Sequence, residues 1–152
     1  MGQIRIPRMV LAFLAGGALA ASGAALQSLF NNPLAEPALI GISSGAMVAA
    51  IIGIVLAPTL PLLGHFFVEY NEIALPLFAF LGALSLGTIV YRISCQQGKV
   101  HVPTMLLAGI AANAFAGALA GLFIFTADDE QLRDITFWAM GSLTGSTWQQ
   151  LI

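Results

Sequence analysis

Residues 9–29 read MVLAFLAGGALAASGAALQSL and contain no charged side chain. A helix needs about 20 consecutive apolar residues to cross the hydrocarbon core of a bilayer, and this stretch is long enough. A strand of an outer-membrane barrel would instead alternate apolar and polar residues, and no such alternation occurs here. The stretch therefore predicts a transmembrane α-helix.

Small residues recur at a spacing of four within this helix, at Gly16, Ala20 and Ala24. Because lipid supplies no hydrophobic drive between helices, small residues promote association by letting two backbones approach closely. The pattern predicts that the helix packs against protein. Spacing alone does not separate packing within a bundle from dimerisation.

Similar stretches fill most of the chain, which has 152 residues. Charged residues make up 8% of it, whereas soluble domains carry about 25%, and the mean hydropathy is +0.92. So few charges exclude a soluble enzyme, a disulfide scaffold and a disordered tail. The pattern predicts an all-α, polytopic transmembrane helical bundle with about four full spans plus a short interfacial or re-entrant helix. The spans are expected at about 9–29, 42–62, 73–91 and 104–126.

The segments between and after these spans are polar and are predicted to lie in water. Residues 64–72 are predicted to form a loop between the second and third spans, and residues 92–102 a loop between the third and fourth. The acidic segment 127–134 follows the fourth span. The short helix is expected within residues 135–152, where two tryptophans suit a membrane interface.

The sequence contains no motif for catalysis or for nucleic-acid binding. Its net charge is −2 and it has no basic patch, which argues against a nucleic-acid partner. No P-loop, HExxH or GxSxG pattern occurs, so the chain is predicted not to be an enzyme and ATP hydrolysis would reside in a separate subunit. With Cys95 as the single cysteine, and with His65 and His101 on opposite sides of the four-span arrangement, neither a metal site nor a cofactor is expected.

Arg5 and Arg8 form a cationic pair at the start of the first span. Two guanidinium groups held three residues apart at a helix end suit bidentate pairing with carboxylates, which predicts an acidic partner. The alternative is that both side chains extend to lipid headgroups.

Polar residues inside or between the spans offer two further candidates. A break bounded by Pro33 and Pro37 separates two spans rich in small residues, and it is either an ordinary turn or part of a pathway, because non-helical backbone at membrane depth needs protein or water beside it. Asn113 lies within the fourth span, where its amide either bonds to a neighbouring helix or lines a pathway.

Six segments of the chain together resemble the permease subunits of ABC importers for iron–siderophore, haem and cobalamin, the FecCD-type transport family. The segments occur in the family's order and run across the whole chain. They are Arg5-Ile6-Pro7-Arg8, Ser22-Gly23-Ala24-Ala25-Leu26-Gln27, Asn32-Pro33-Leu34-Ala35-Glu36-Pro37, Gly41-Ile42-Ser43-Ser44-Gly45-Ala46, Leu106-Leu107-Ala108-Gly109-Ile110-Ala111 and Phe137-Trp138-Ala139-Met140-Gly141-Ser142-Leu143.

The resemblance implies a partial transmembrane permease domain over residues 1–152, the N-terminal half of a ten-span subunit that works as a homodimer. It implies a multi-pass protein of the bacterial cytoplasmic (inner) membrane. The implied partners are ATPase subunits, a periplasmic or extracellular substrate-binding protein, a second permease copy and the lipid bilayer. The implied cargo is an iron chelate, with haem preferred over a ferric siderophore or cobalamin.

The resemblance also assigns roles to single residues. Arg5 and Arg8 match the positions that dock acidic residues of the binding protein, which places the N-terminal end of the first span outside and residues 92–102 in the cytoplasm. Asn32 and Leu34 match positions that line the cytoplasmic gate, and Asn113 is added to them as a pathway candidate.

Two other readings of the chain stay open. A channel or secondary transporter with inverted repeats would transport without an ATPase, although no internal repeat is found. A non-functional truncated fragment is also expected to show this pattern, because the sequence stops within an uncharged run.

Overall fold

The first helix, α1, extends over Arg5–Phe30 and includes the whole apolar stretch 9–29. It belongs to a computed structural model that describes residues 5–33, 35–143 and 148. Pro7 lies in the first turn, where its missing N–H leaves no hydrogen bond unmade. Most α1 side chains are exposed, and around Gly16, Gly17 and Gly23 no described atom lies where an added Cβ would touch it.

The chain divides into two compact units, Met1–Ala35 with Phe137–Ile152, and Glu36–Thr136. The second unit is built on three long helices, α2, α4 and α5, with a short helix α3 between the first two. A 3₁₀ helix precedes α2 and another follows it. The elements are the 3₁₀ helix Pro37–Ile40, α2 Ile42–Leu56, the 3₁₀ helix Ala57–Thr59, α3 Pro61–Glu69, α4 Asn71–Ser94, β1 Cys95–Gln96, β2 Lys99–Val100, α5 Val102–Thr126 and α6 Asp129–Met140, which begins in this unit.

The helices α2 and α4 approach each other at two glycines. An added Cβ on Gly45 would lie 2.5 Å from the carbonyl oxygen of Gly82, and one on Gly82 would collide with the carbonyl oxygen of Gly45. Gly109 of α5 is pressed in the same way against the carbonyl oxygen of Leu39. Small residues thus place backbone against backbone at both contacts, as expected for helices that pack in lipid.

A compact apolar cluster lies near the C-terminal end of α2 in the second unit. Ile51 and Val55 of α2 are buried there with Ile135 of α6. The capping box at the start of α6 fixes the approach of that helix, because the Gln131 backbone N–H donates to Asp128 Oδ1 at 2.8 Å and the Asp128 N–H donates to Gln131 Oε1 at 3.1 Å.

Four helices in the described part of the chain are long and apolar enough to cross a membrane. They are Arg5–Phe30, Ile42–Thr59, Ile73–Ser94 and Val102–Thr126. Many large apolar side chains on them are exposed, which suits a lipid surround and not water. The predicted all-α polytopic bundle is therefore confirmed.

Two of the predicted connections are wrong in detail. Residues 64–72 are not a loop, because α3 extends through Glu69 and α4 begins at Asn71. Pro61 opens α3 at a position that suits proline, and the Gly64 N–H donates to the Leu60 carbonyl at 2.7 Å. The short helix likewise begins at Asp129, inside the acidic segment and before residue 135, because the cap at Asp128 starts it there.

The loop between the third and fourth spans is a tight β-hairpin. Cys95 pairs with Val100, and Gln96 pairs with Lys99. The two turn residues, Gln97 and Gly98, have φ values of 52° and 76°, which is the backbone that a two-residue hairpin loop of type I′ requires.

Candidate functional site

The arginine pair lies in the first turn of α1. Arg5 is exposed and Arg8 is half-buried. The Nε of Arg8 donates a hydrogen bond to the backbone carbonyl of Leu143 at 3.1 Å. The two guanidinium groups are therefore not equivalent, because Arg8 also ties the start of α1 to the segment that follows α6.

The electrostatics of this turn favour an anionic partner. A helix N-terminus carries partial positive charge, so cations there are repelled, by about 0.3–1 kcal/mol each at an exposed site. No acidic residue lies in the first turn of α1. A carboxylate brought to Arg5 and Arg8 would offset this repulsion and form charge-assisted hydrogen bonds.

The break after α1 begins with a well-formed helix end. Asn31 has a φ of 50°, in the left-handed region, and its N–H donates to the Ser28 carbonyl at 3.3 Å. The Asn32 N–H donates to the Gln27 carbonyl at 3.1 Å, which completes a Schellman motif. Asn32, the last residue of this motif, is exposed. Leu34, the other predicted gate residue, lies outside the described residues.

Asn113 binds two elements at once. Its Oδ1 accepts a hydrogen bond from the Ser44 hydroxyl at 2.7 Å, and its Nδ2 donates to the Ala38 carbonyl at 3.0 Å. The amide therefore connects α5 to the first turn of α2 and to the 3₁₀ helix Pro37–Ile40. This is the interhelical bonding that the sequence left open as one of two alternatives.

The same amide also borders a groove of about 360 Å³ between α2 and α5. Ser43 and Ser44 line it on α2, and Gly117 lines it on α5 one turn beyond Asn113. Interhelical bonding and a position beside open space thus occur together at Asn113. Ser44 is a partner that was not predicted as a site residue, although its place in Ser43-Ser44-Gly45, at the start of a span, was a usable signal.

The predicted site residues belong to two units of the chain. Asn113 lies with Ser44 and Ala38 in the unit Glu36–Thr136, and Arg5, Arg8 and Asn32 belong to the other unit. Within the described residues, no group of three His, Cys, Asp or Glu side chains could hold a metal ion.

Charge is segregated along the long helices of the second unit. Arg92 ends α4 and Lys99 lies on β2, whereas no acidic residue occurs between residues 73 and 127. The acids Glu69 and Asp129 lie at the other ends of α4 and α5, at the close of α3 and the start of α6. The hairpin end of these helices is thus basic.

Comparison with known proteins gives a consistent picture. The model of the FecCD transport family matches residues 1–152. The hemin transport system permease protein HmuU of Yersinia pestis is 43% identical over 150 residues, which cover 99% of this chain and 43% of that protein. The cobalamin import system permease protein BtuC of Halobacterium salinarum is 37% identical over 151 residues, 99% of this chain and 38% of that protein.

A solved structure of an ABC transporter is also similar to this chain. An inward-facing conformation of an ABC transporter assigned to the metal-chelate type matches with a TM-score of 0.79 and 28% identity, over 99% of this chain and 44% of the solved one. The chain thus spans about two fifths of the length of the relatives that it matches.

Proposed function

Because the chain belongs to the FecCD transport family, we propose that it forms part of the membrane-spanning permease subunit of an ABC importer for an iron chelate, with haem as the preferred cargo. The observation that carries this proposal is the family match over the whole chain. The four apolar helices support it, since they supply the walls that such a subunit needs. ATP hydrolysis belongs to separate ATPase subunits, since no P-loop pattern occurs in these residues.

The preference for haem has a narrower basis. The hemin permease of Yersinia pestis is 43% identical, and cobalamin permeases reach 37% to 40%. Cobalamin and ferric siderophores are therefore the alternative cargoes. The groove beside Asn113 does not separate these cargoes, because its lining is mostly apolar and contains no charged residue.

We assign binding-protein docking to Arg5 and Arg8. The support is electrostatic, because both cations lie at a helix end that repels them and that has no acidic residue in its first turn. Arg5, which is exposed, makes the direct contact. Arg8 also positions the segment around Leu143, to whose carbonyl it donates.

We assign the cytoplasmic gate to the break after α1, with Asn32 and Leu34 as lining residues and Asn113 as the residue that anchors the next element. Asn113 holds the Ala38 carbonyl at 3.0 Å. A gate needs a fixed wall for its moving part to close against, and this hydrogen bond fixes the 3₁₀ helix to α5. The permease works in the cytoplasmic membrane as a pair of copies.

Transplantation into a longer relative tests the proposal. Residues 1–152 replace the matching segment of the Yersinia pestis hemin permease, and the chimera is reconstituted with its ATPase and binding protein in proteoliposomes. We expect ATP-dependent haem uptake that exceeds uptake of cobalamin and of a ferric siderophore. The parental permease is the control for assembly.

The other outcomes separate the alternatives. Uptake without the ATPase would identify a channel or secondary transporter. ATP-dependent uptake of cobalamin in place of haem would support the permease function and show that the cargo is cobalamin. A chimera that binds its ATPase and moves none of the three cargoes would refute the transport role.

A further inference from the structure

A second groove, of about 450 Å³, runs along α4 on the outside of the second unit. Its floor is made by Ile40 and Met105, which are buried. Its open wall is made by Phe80, Leu84 and Tyr91, each about half exposed or more. The lining is almost wholly apolar, so the groove suits a hydrocarbon and not a hydrated solute.

The length of the groove corresponds to one leaflet of a bilayer. Phe80 and Tyr91 are separated by eleven residues of a continuous helix, which is about 16 Å at 1.5 Å per residue. The hydrocarbon core of a bilayer is about 30 Å thick, so one leaflet contributes about 15 Å. The groove therefore extends from a membrane interface to near the midplane, as one acyl chain does.

The interfacial end of the groove is basic. Tyr91 is followed directly by Arg92, and Lys99 lies on the hairpin that continues from α4. Neither cation has an ion-pair partner among the described residues, and the sequence has no acid from residue 73 to residue 127. Basic side chains at the end of a groove between transmembrane helices attract anionic lipid headgroups.

We propose that this groove binds an anionic phospholipid, with one acyl chain along α4 and the phosphate between Arg92 and Lys99. The length of one leaflet and the basic residues beside one end of the groove favour an acyl chain with an anionic headgroup as its occupant. The proposal requires only that the helices span a membrane, and it is independent of the cargo.

Lipid retention by the full chain tests this site. The protein is purified in mild detergent, given equal amounts of phosphatidylglycerol and phosphatidylethanolamine of the same acyl chains, and examined by native mass spectrometry. We expect preferential retention of phosphatidylglycerol. Thr88→Phe, which fills the groove, should reduce this retention. Arg92→Gln should reduce it about fivefold, because one basic side chain near an anionic surface strengthens binding by about that factor.

Matched variants control for size and charge. Ser85→Phe adds the same ring to an exposed α4 position outside the groove, and Arg133→Gln removes a cation at the opposite end of the helices. Both should retain phosphatidylglycerol as the unmodified chain does. Equal retention of the two lipids, or equal effects of Thr88→Phe and Ser85→Phe, would overturn the proposal.

A crosslinking measurement covers the case in which these variants fail to fold. A photoreactive benzoylphenylalanine replaces Leu84, whose exposed side chain lines the groove. A product heavier by the mass of one phosphatidylglycerol supports the site. A crosslink to polypeptide, either a second copy or another segment, refutes it, because the groove would then be covered by protein.

Discussion

Replacing Gly82 with alanine should push α2 and α4 apart. A Cβ at this position would collide with the carbonyl oxygen of Gly45 and with the Cβ of Ala49, both on α2. Neither atom is the end of a flexible side chain, so a new side-chain rotamer cannot relieve the contact. The helices themselves must move, which disturbs the close packing of α2 against α4 in the unit Glu36–Thr136.

The size of the effect follows from two opposing terms. Overpacking by one methyl group in a well-packed core costs about 1–3 kcal/mol, and a rigid backbone contact belongs at the upper end of that range. Alanine stabilises a helix in water by about 1 kcal/mol relative to glycine, and this is the most that helix propensity could offset the overpacking. We therefore expect Gly82→Ala to lower the free energy of unfolding by about 1–2 kcal/mol.

Gly121→Ala is the matched control, since it is the same substitution in a long apolar helix. Apart from its chain neighbours and the backbone of its own helix, no described atom lies within 4 Å of a Cβ built on Gly121. Unfolding of both variants by sodium dodecyl sulfate in mixed micelles, followed by far-ultraviolet circular dichroism, gives the comparison. A Gly82→Ala variant as stable as Gly121→Ala would refute the close approach of α2 and α4.

Three further outcomes are expected. Asn113→Ala and Ser44→Ala should each destabilise the chain, and the double variant should show a coupling of about 0.6–1.7 kcal/mol in the same unfolding assay, as interhelical hydrogen bonds in membranes do; simple additivity would contradict their hydrogen bond. Arg5→Glu and Arg8→Glu should both weaken binding-protein docking in a full-length chimera, most at low salt because ions screen exposed charges; titrations at two ionic strengths measure this, and unchanged affinity would reject the docking role. Arg8→Cys and Lys99→Cys should react with an impermeant maleimide from opposite faces of the membrane, and labelling from one face would contradict the topology.

The number and type of the membrane helices could be predicted from sequence because lipid imposes a local rule. Every backbone polar group exposed to lipid must be hydrogen-bonded within the protein, and a long uncharged run achieves this by itself only as an α-helix. The uncharged run 100–127 contains α5, Val102–Thr126, and this helix could be predicted without knowing which elements pack against it. The fold class can therefore be predicted from each segment separately.

The short helices could not be predicted in the same way. The segment 64–72 contains His65, Glu69 and Glu72, and its polarity suggested a loop. In α3, however, His65 and Glu69 lie one turn apart, with the His65 Nδ1 3.4 Å from the Glu69 carboxylate. An amphipathic helix keeps its polar residues on one side, and nine residues are too few for that period to be recognised.

The contacts of the site depend on residues far apart in the chain. Asn113 is 69 residues from Ser44 and 75 from Ala38, and Arg8 is 135 residues from Leu143. Sequence reasoning identified Asn113 and Arg8 because an amide inside a span and a cation at its end are unusual by themselves. It could not identify their partners, because a serine hydroxyl or a backbone carbonyl carries no distinguishing pattern.

The glycines of this chain divide into two groups that the sequence does not separate. Gly45, Gly82 and Gly109 bring backbones together within the second unit, where an alanine would meet another chain segment. Gly16 and Gly23 of α1 have the same apolar surroundings in sequence, yet no described atom approaches them. A glycine in a helix interior forfeits the stability that alanine would give, and in lipid its compensation is close contact with another helix. The face of α1 therefore carries the cost of small residues without an offsetting contact among the described residues, and the packing of α1 against protein stays a prediction.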